Sequence, residues 1–331
     1  MKKNIAIIGS GLSGITIASE LKKKFNVEIF EKSRGVGGRM STRKELPFIF
    51  DHGAQFFKIT TTDFMNFVSE LLSERVILPW KFKLAHFEGI KLTKIKIIGN
   101  EDKFFVGVPN MDSIIKYLAK KIDVMINTKI EKIIKKKNDW FLYDQNNKSY
   151  GKYDWVILTL PAEQSRELIS KTISFYPLLK KIKMKGCFSL MIGMNDPVSL
   201  DYDAAIIKDN DVAWLAVNNS KPCRTEKYSL LINSSYDFAA KNISSPKEKI
   251  INHLLDITSD VINRQIPESA MIRLHQWRYV EAEKHPDDNF FIDPQNKIGI
   301  CGDWFVNSRV EGAFISASNL SKEIIKHIFL N

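Results

Sequence analysis

The sequence predicts an α/β protein in which a parallel, nucleotide-binding sheet is interleaved with a β-rich unit. Three observations carry this. A strand, glycine turn, helix and strand occupy the first 31 residues. A further strand, glycine turn and helix close the chain from about residue 297. Between them lie short alternating apolar runs of the kind that build antiparallel sheets. A chain of 331 residues is long enough for one large domain or two interleaved ones.

The elements follow in order. Asn4–Ile8 is a short apolar run and reads as a buried strand. Over 13–25, Ile15, Ala18, Leu21 and Phe25 share one helical face. Val27–Glu31 alternates and reads as a second strand, completing a βαβ unit. A leader peptide would need an uninterrupted apolar core, and Gly9, Gly11 and Gly14 interrupt this one. A polar loop, SRGVGGRMST, is followed by DHGAQFF. A helix is expected over 64–72, antiparallel strands over 76–105 and a helix over 111–122. Strands follow at 124–134, 139–144 and 153–158, with a helix from Ala162. Residues 186–234 are β-rich, 246–263 helical and 270–279 extended. Residues 297–301 form a last parallel strand, and 312–329 a closing helix. The expected nucleotide domain takes 1–60, 100–165 and 285–331. The substrate domain takes 61–99 and 166–284.

Composition narrows the function. Hydrophobic residues make up 44% and charged residues 26%, an ordinary globular balance. No apolar run is long enough to span a bilayer. Three cysteines without a CxxC spacing, and scattered histidines, indicate neither a disulfide framework nor a metal site. The cytoplasm is the expected compartment. The net charge of +11 is mostly lysine in short clusters, read as solvated faces. No nucleic-acid motif accompanies it, so neither a nucleic-acid nor a membrane partner is expected.

Gly9-Ser10-Gly11-Leu12-Ser13-Gly14 fits GxGxxG in its required setting, after a strand and before a helix. The first glycine permits the turn, the second lets a pyrophosphate approach the backbone, and the third lets helix and strand pack. The helix N-terminus then faces the phosphates. Glu31, 20 residues after Gly11, is placed to accept from ribose hydroxyls. A second glycine loop brings Arg39, a partner for pyrophosphate charge. Near the other end, Gly302 and Asp303 precede a helix at Gly312 and Ala313. That arrangement suits a flavin, with Asp303 reaching a ribityl hydroxyl and the helix start facing the ring.

On the segments IAIIGSGLSG, EKSRGVGGRMST, DHGAQFF, WLAVNNSKPCR and CGDWFVNSRVEGAFISA, the chain resembles the bacterial renalase-like branch of the flavin amine oxidase superfamily. The resemblance implies a Rossmann-like FAD-binding domain with an interleaved β-rich, α+β substrate domain. It implies non-covalent FAD on Gly9, Gly11, Leu12, Ser13, Gly14, Glu31, Lys32, Gly38, Arg39, Met40, Gly53, Ala54, Gln55 and Ile130. From the closing segment it adds Gly302, Asp303, Arg309, Val310, Glu311, Gly312 and Ala313. It further implies oxidation of dihydropyridine dinucleotides, reduced at C2 or C6, with O2 taken to hydrogen peroxide. Such a step removes only a hydride, and the sequence offers no obvious general base. Gln55, Phe56, Trp214, His275, Trp277 and Trp304 are candidate pocket walls, although a core place explains Trp214 and Trp277 equally well. Lys221 and Arg224 are candidates for substrate phosphates, a loop salt bridge being the other reading. Two other functions stay open: an FAD oxidase or desaturase acting on an amine or lipid-like molecule, and a non-enzymatic flavin- or nucleotide-binding protein.

Overall fold

The structure, a computed structural model, describes residues 2–330. Its central six-stranded sheet begins with β1 (Asn4–Ile8), which leads through α1 (Leu12–Leu21) to β2 (Asn26–Phe30). The strand order is Val124–Met125, β2, β1, Trp155–Leu158, Ile298–Ile300, Phe291–Asp293. All neighbours are parallel except the last pair. Strand order therefore reverses at β1. A ligand crevice opens at such a switch point, outside the carboxyl ends of the strands. Those ends carry Gly9, Glu31, Thr159 and Gly302. Ile5, Ile7, Ile157, Ile298 and Ile300 are fully buried, as a sheet covered on both faces requires.

A seven-stranded sheet forms the second layer system. Its order is Met271–Ala282, Met184–Met194, Tyr228–Ser234, Val212–Val217, Ala204–Lys208, Phe82–Glu88, Lys91–Ile98. One face packs on the helix Lys247–Ile262 through Leu215, Ile232, Ile250 and Leu254. The other turns Ala204, Ala216, Phe82 and Leu84 into the core shared with α1 and the closing helix Val310–Leu330. A three-stranded sheet (Ile130–Lys136, Asp139–Asp144, Ser149–Tyr153) lies beside β2.

Three expected elements change. The helix expected over 13–25 stops at Leu21, and the lysines after it form a turn that still returns Phe25 to the core. The strand expected over 124–134 is two strands of different sheets. Asn127 at φ +54 breaks it, and Thr128 N–H donates to the Glu31 carbonyl at 2.8 Å. The strand expected over 153–158 divides at Asp154, whose carboxylate accepts from Asn4 N–H at 2.9 Å and pairs with Lys3. Among the described residues no helix is long and apolar enough to cross a membrane, and no His, Cys, Asp and Glu cluster has metal-binding geometry.

Candidate functional site

Two glycine loops meet at the switch point. Gly9, at φ +108, makes the turn after β1, and a Cβ there would lie 2.7 Å from Thr159 Oγ1. A Cβ at Gly14 would lie 2.0 Å from the Gly9 carbonyl oxygen, so helix and turn touch backbone to backbone. Gly11 differs: a Cβ there meets nothing within 4 Å. The protein's own packing does not demand that glycine, and the space beside it is a cradle. The second loop closes one side. Gly37 N–H donates to the Ser10 carbonyl at 3.2 Å, and a Cβ at Gly38 would stand 3.3 Å from Gly11 Cα. Leu12, Ser13 and Met40 are buried, while Lys32 and Gly38 are exposed. The Ile130 side chain is buried with Ile8 and Phe30.

Glu31 is buried at the mouth of the crevice. Its Oε2 accepts from Ser10 N–H at 3.0 Å and Ser10 Oγ at 2.8 Å, and its Oε1 accepts from Ser33 N–H at 2.8 Å. A carboxylate has about four acceptor sites, so the loop uses most of them and a ribose hydroxyl can use the rest. Arg39 and Asp303 were read as separate ligand contacts, and here they pair with each other at 2.7 Å. Arg39 also donates to the Val280 carbonyl at 3.3 Å, joining the two sheets. A Cβ at Gly53 would lie 2.0 Å from the Arg39 carbonyl oxygen, and Ala54 N–H donates to that oxygen at 2.8 Å.

Gly312 was expected to make room for a flat ring. A Cβ there would lie 2.4 Å from Asn307 Oδ1, the end of an exposed side chain that would have to shift. Glu311 is a clamp: its carboxylate accepts from the N–H and the hydroxyl of both Thr60 and Thr61, at 2.6 to 2.9 Å. Ala313 accepts from Ser13 Oγ at 3.0 Å, which ties α1 to the closing helix. Val310 is half-buried, and Arg309 is exposed beside it. Gly302, by contrast, packs on the Trp304 indole, whose Nε1 would lie 2.7 Å from an added Cβ.

The pocket candidates separate into three groups. Gln55, Phe56 and Trp214 come together. Phe56 lies 5.8 Å from Trp214, 4.7 Å from Phe104 and 6.3 Å from Trp80, between ring centres. Trp80 stacks on Phe82 at 3.8 Å, completing an aromatic box. His275 and Trp277 form a second group with His52, at 4.9 and 5.1 Å from its ring. Trp277 Nε1 donates to the His52 carbonyl at 2.9 Å. Trp304 belongs to neither. It is fully buried against Phe305 and Phe291, and its Nε1 donates to the Leu160 carbonyl, so it is core rather than pocket wall.

Beneath Gln55 sits a buried charge cluster. Asp51 and Lys221 have fully buried side chains, and that of Arg224 is 1% exposed. Asp51 Oδ2 accepts from Arg224 at 2.7 Å and Lys221 at 3.3 Å, and its Oδ1 accepts from Met111 N–H at 3.0 Å and Thr42 Oγ1 at 2.9 Å. Lys221 Nζ also donates to Gln55 Oε1 at 3.2 Å and Asn218 Oδ1 at 3.0 Å. Burial alone would raise the Asp51 carboxyl, but the two cations outweigh it and hold it below the usual range. Burial pulls the Lys221 ammonium down to about 8, against the attraction of Asp51. Lys221 and Arg224 are thus committed to Asp51 instead of standing free for phosphates. His52 is pushed down to about 3 by burial, by His275 and by Arg43, and burial lowers His275 as well. Both rings are neutral at pH 7. Trp80 and Asp51 were missed by the sequence reading. Trp80 and Phe82, two apart in one alternating run, were the available signal for the box.

Residues 7–71 match the family model of the NAD(P)-binding Rossmann-like domain. The 4,4'-diapophytoene desaturase (4,4'-diaponeurosporene-forming) of Staphylococcus haemolyticus is 48% identical over 50 residues, which span 15% of this chain and 10% of that protein. Among solved structures, a putative protoporphyrinogen oxidase from Exiguobacterium superposes with a TM-score of 0.80 at 10% identity, over 98% of this chain and 99% of that one. Wild-type putrescine oxidase bound to putrescine does so with a TM-score of 0.72 at 11% identity, over the same shares. The chain has the flavin amine oxidase type of fold. That likeness covers both sheets.

Proposed function

We propose that this chain is an FAD-dependent oxidase of isomeric dihydropyridine forms of NAD(P)H, reduced at C2 or C6. The products are NAD(P)+ and hydrogen peroxide; substrate, O2 and one proton balance them. The observations that support the reading are a dinucleotide cradle at the strand ends and an aromatic cluster around Phe56 whose charged neighbours are already paired. The segmental resemblance to renalase-like proteins supplies the substrate class.

The residues fit the cofactor. The open space at Gly11, the free N-terminus of α1 and the second glycine loop suit a pyrophosphate, and Glu31 suits a ribose. Gly302, Asp303 and the start of the closing helix would hold the other half. Bound FAD supplies the hydride acceptor and the path to O2. The chain's part is to orient and to exclude water. Phe56 and the half-buried Trp214 would offer an aromatic face to a flat ring, near Gln55, whose amide is fixed by Lys221. Aromatisation of a dihydropyridine needs no proton acceptor, and His52, held neutral at about 3, is too weak a base to serve as one at pH 7.

Anaerobic stopped-flow mixing tests this. The flavin band should bleach faster with the C2- or C6-reduced isomers than with ordinary NADH or a primary amine. Faster bleaching by an amine would replace this reading with the amine-oxidase one, which the putrescine oxidase fold likeness makes the natural rival.

A further inference from the structure

We propose that the hairpin formed by the strands Phe82–Glu88 and Lys91–Ile98 is a docking surface for an anionic lipid bilayer, on which the chain rests as a peripheral protein. The proposal is independent of the oxidase reading. It revises the expectation of no membrane partner, which weighed spanning segments only.

Lys91–Ile98 closes one end of the seven-stranded sheet, and among the described residues no strand pairs with its outer edge. Every residue from Lys91 to Ile97 is exposed. Register divides them between two faces. Leu92, Ile95 and Ile97 stand opposite Phe87, Ala85 and Lys83 and share one face of the sheet. Lys94 and Lys96 stand opposite His86 and Leu84 on the other. Exposure is 45% at Leu92, 39% at Ile95 and 76% at Ile97, and Ile90 in the turn is 60% exposed. The other exposed large apolar side chains, Leu46 and Phe329 among them, are scattered singly along the chain. Single exposed apolar residues are ordinary, whereas a row of four on one hairpin marks a surface that something covers.

The surrounding charge selects the occupant. Lys81, Lys83, Lys91, Lys94 and Lys96 fall within residues 81–98 against one acid, Glu88, and the exposed Lys208 stands opposite Glu88 on the next strand. Asp102 pairs with Lys96 at 3.0 Å. A second copy added edge to edge would bring two sets of these lysines together, with no acid between residues 89 and 98 to match them. Lysine on an edge strand opposes the addition of any further strand. A bilayer rich in anionic lipid has the matching order, a diffuse negative layer directly above an apolar one. Lysine stems can lie along the isoleucines while their ammonium groups stay among the phosphates. Amphipathic segments rest in the interface by that arrangement.

Co-sedimentation of the flavin-loaded protein with vesicles tests this. Vesicles of phosphatidylglycerol and phosphatidylcholine in equal parts should carry the protein into the pellet, and phosphatidylcholine alone should not. Ile95→Ser combined with Ile97→Ser should weaken that binding by about tenfold or more. Lys91→Glu combined with Lys94→Glu should weaken it by about a hundredfold. The same exchange at Lys180 and Lys181, exposed elsewhere on the chain, should change it by about twofold at most. Thermal melts and flavin content establish that the variants fold, and the comparison of the two vesicles on the unaltered protein stands without them. Absence from the anionic pellet overturns the proposal, and so does equal binding to both vesicles. Unchanged binding of the folded serine variant overturns it as well, since net charge alone would then hold the protein. A dimer in light scattering that the serine pair dissociates gives the edge to a second copy and also overturns it.

Discussion

Gly11 and Gly14 are three residues apart and do opposite work. Gly14 is required by the fold, because any Cβ would enter the Gly9 carbonyl. Gly11 is required only by what occupies the cradle. Gly14→Ala should therefore cost at least the roughly 1–3 kcal/mol typical of overpacking, read as a lower melting temperature. Gly11→Val should melt near the unaltered protein when both are stripped of flavin, yet purify with little flavin at the visible absorbance band. Full flavin occupancy in Gly11→Val would move the cradle elsewhere. Glu311 makes a third case. Glutamine in its place keeps the shape but cannot accept on its nitrogen, so donors of Thr60 and Thr61 lose partners. Urea unfolding of Glu311→Gln should show a loss of about 1.5–3 kcal/mol.

At the level of elements, the opening βαβ unit was readable because each of its parts has a local cause: an apolar run, a glycine spacing, a helical face. The strand breaks at Asn127 and Asp154 were not, because an apolar run does not reveal which sheet it joins. The aromatic box was half legible. Phe56 and Trp214 stood out as residues, but their meeting with Trp80 depends on long-range pairing of segments far apart in sequence. The partnership of Asp51 with Lys221 and Arg224 was hidden for the same reason. That cluster makes a prediction about pH. Lys221 titrates at about 8 when folded and at 10.5 in a free chain. Between those values the unfolded chain binds the additional proton, so the contribution of Lys221 to stability rises with pH across that window. The lowered carboxyl of Asp51 works in the acid range: its contribution is present above its unfolded value and is lost as pH falls through the folded one. Above pH 9 the raised Cys187 and Cys301 thiols work the other way, so denaturant melts from pH 7 to 10.5 should show the gain, on the order of a few kcal/mol, as the difference between the unaltered protein and Lys221→Met. Lys221→Met should abolish it, and should itself be tolerated because Arg224 still neutralises Asp51. Asp51→Asn leaves two buried cations and should be the damaging change, by about 3–5 kcal/mol.

For the whole molecule, Arg39 is the joint. It leaves the second glycine loop, pairs with Asp303 in the turn after the strand Ile298–Ile300 of the nucleotide sheet and reaches the Val280 carbonyl on the edge of the other sheet. Arg39→Leu should loosen both at once, lowering flavin retention and the unfolding midpoint together. Arg39→Lys, with a point charge in place of a planar fork, should recover only part of either. Flavin release on dilution, measured beside thermal melts, would show whether the two losses move together.

The turn that carries Lys221 and Arg224 also holds Cys223, a non-glycine residue at φ +59. Cys223 is exposed, whereas Cys187 and Cys301 are buried. Burial pushes the Cys187 thiol up to about 12 and the Cys301 thiol higher, so both stay protonated and inert. The chain thus comes with a single-site attachment point for a thiol-reactive dye, placed on the loop that supports the Gln55 amide. A fluorophore there would give an optical readout of the pocket floor during ligand entry, with no engineered cysteine.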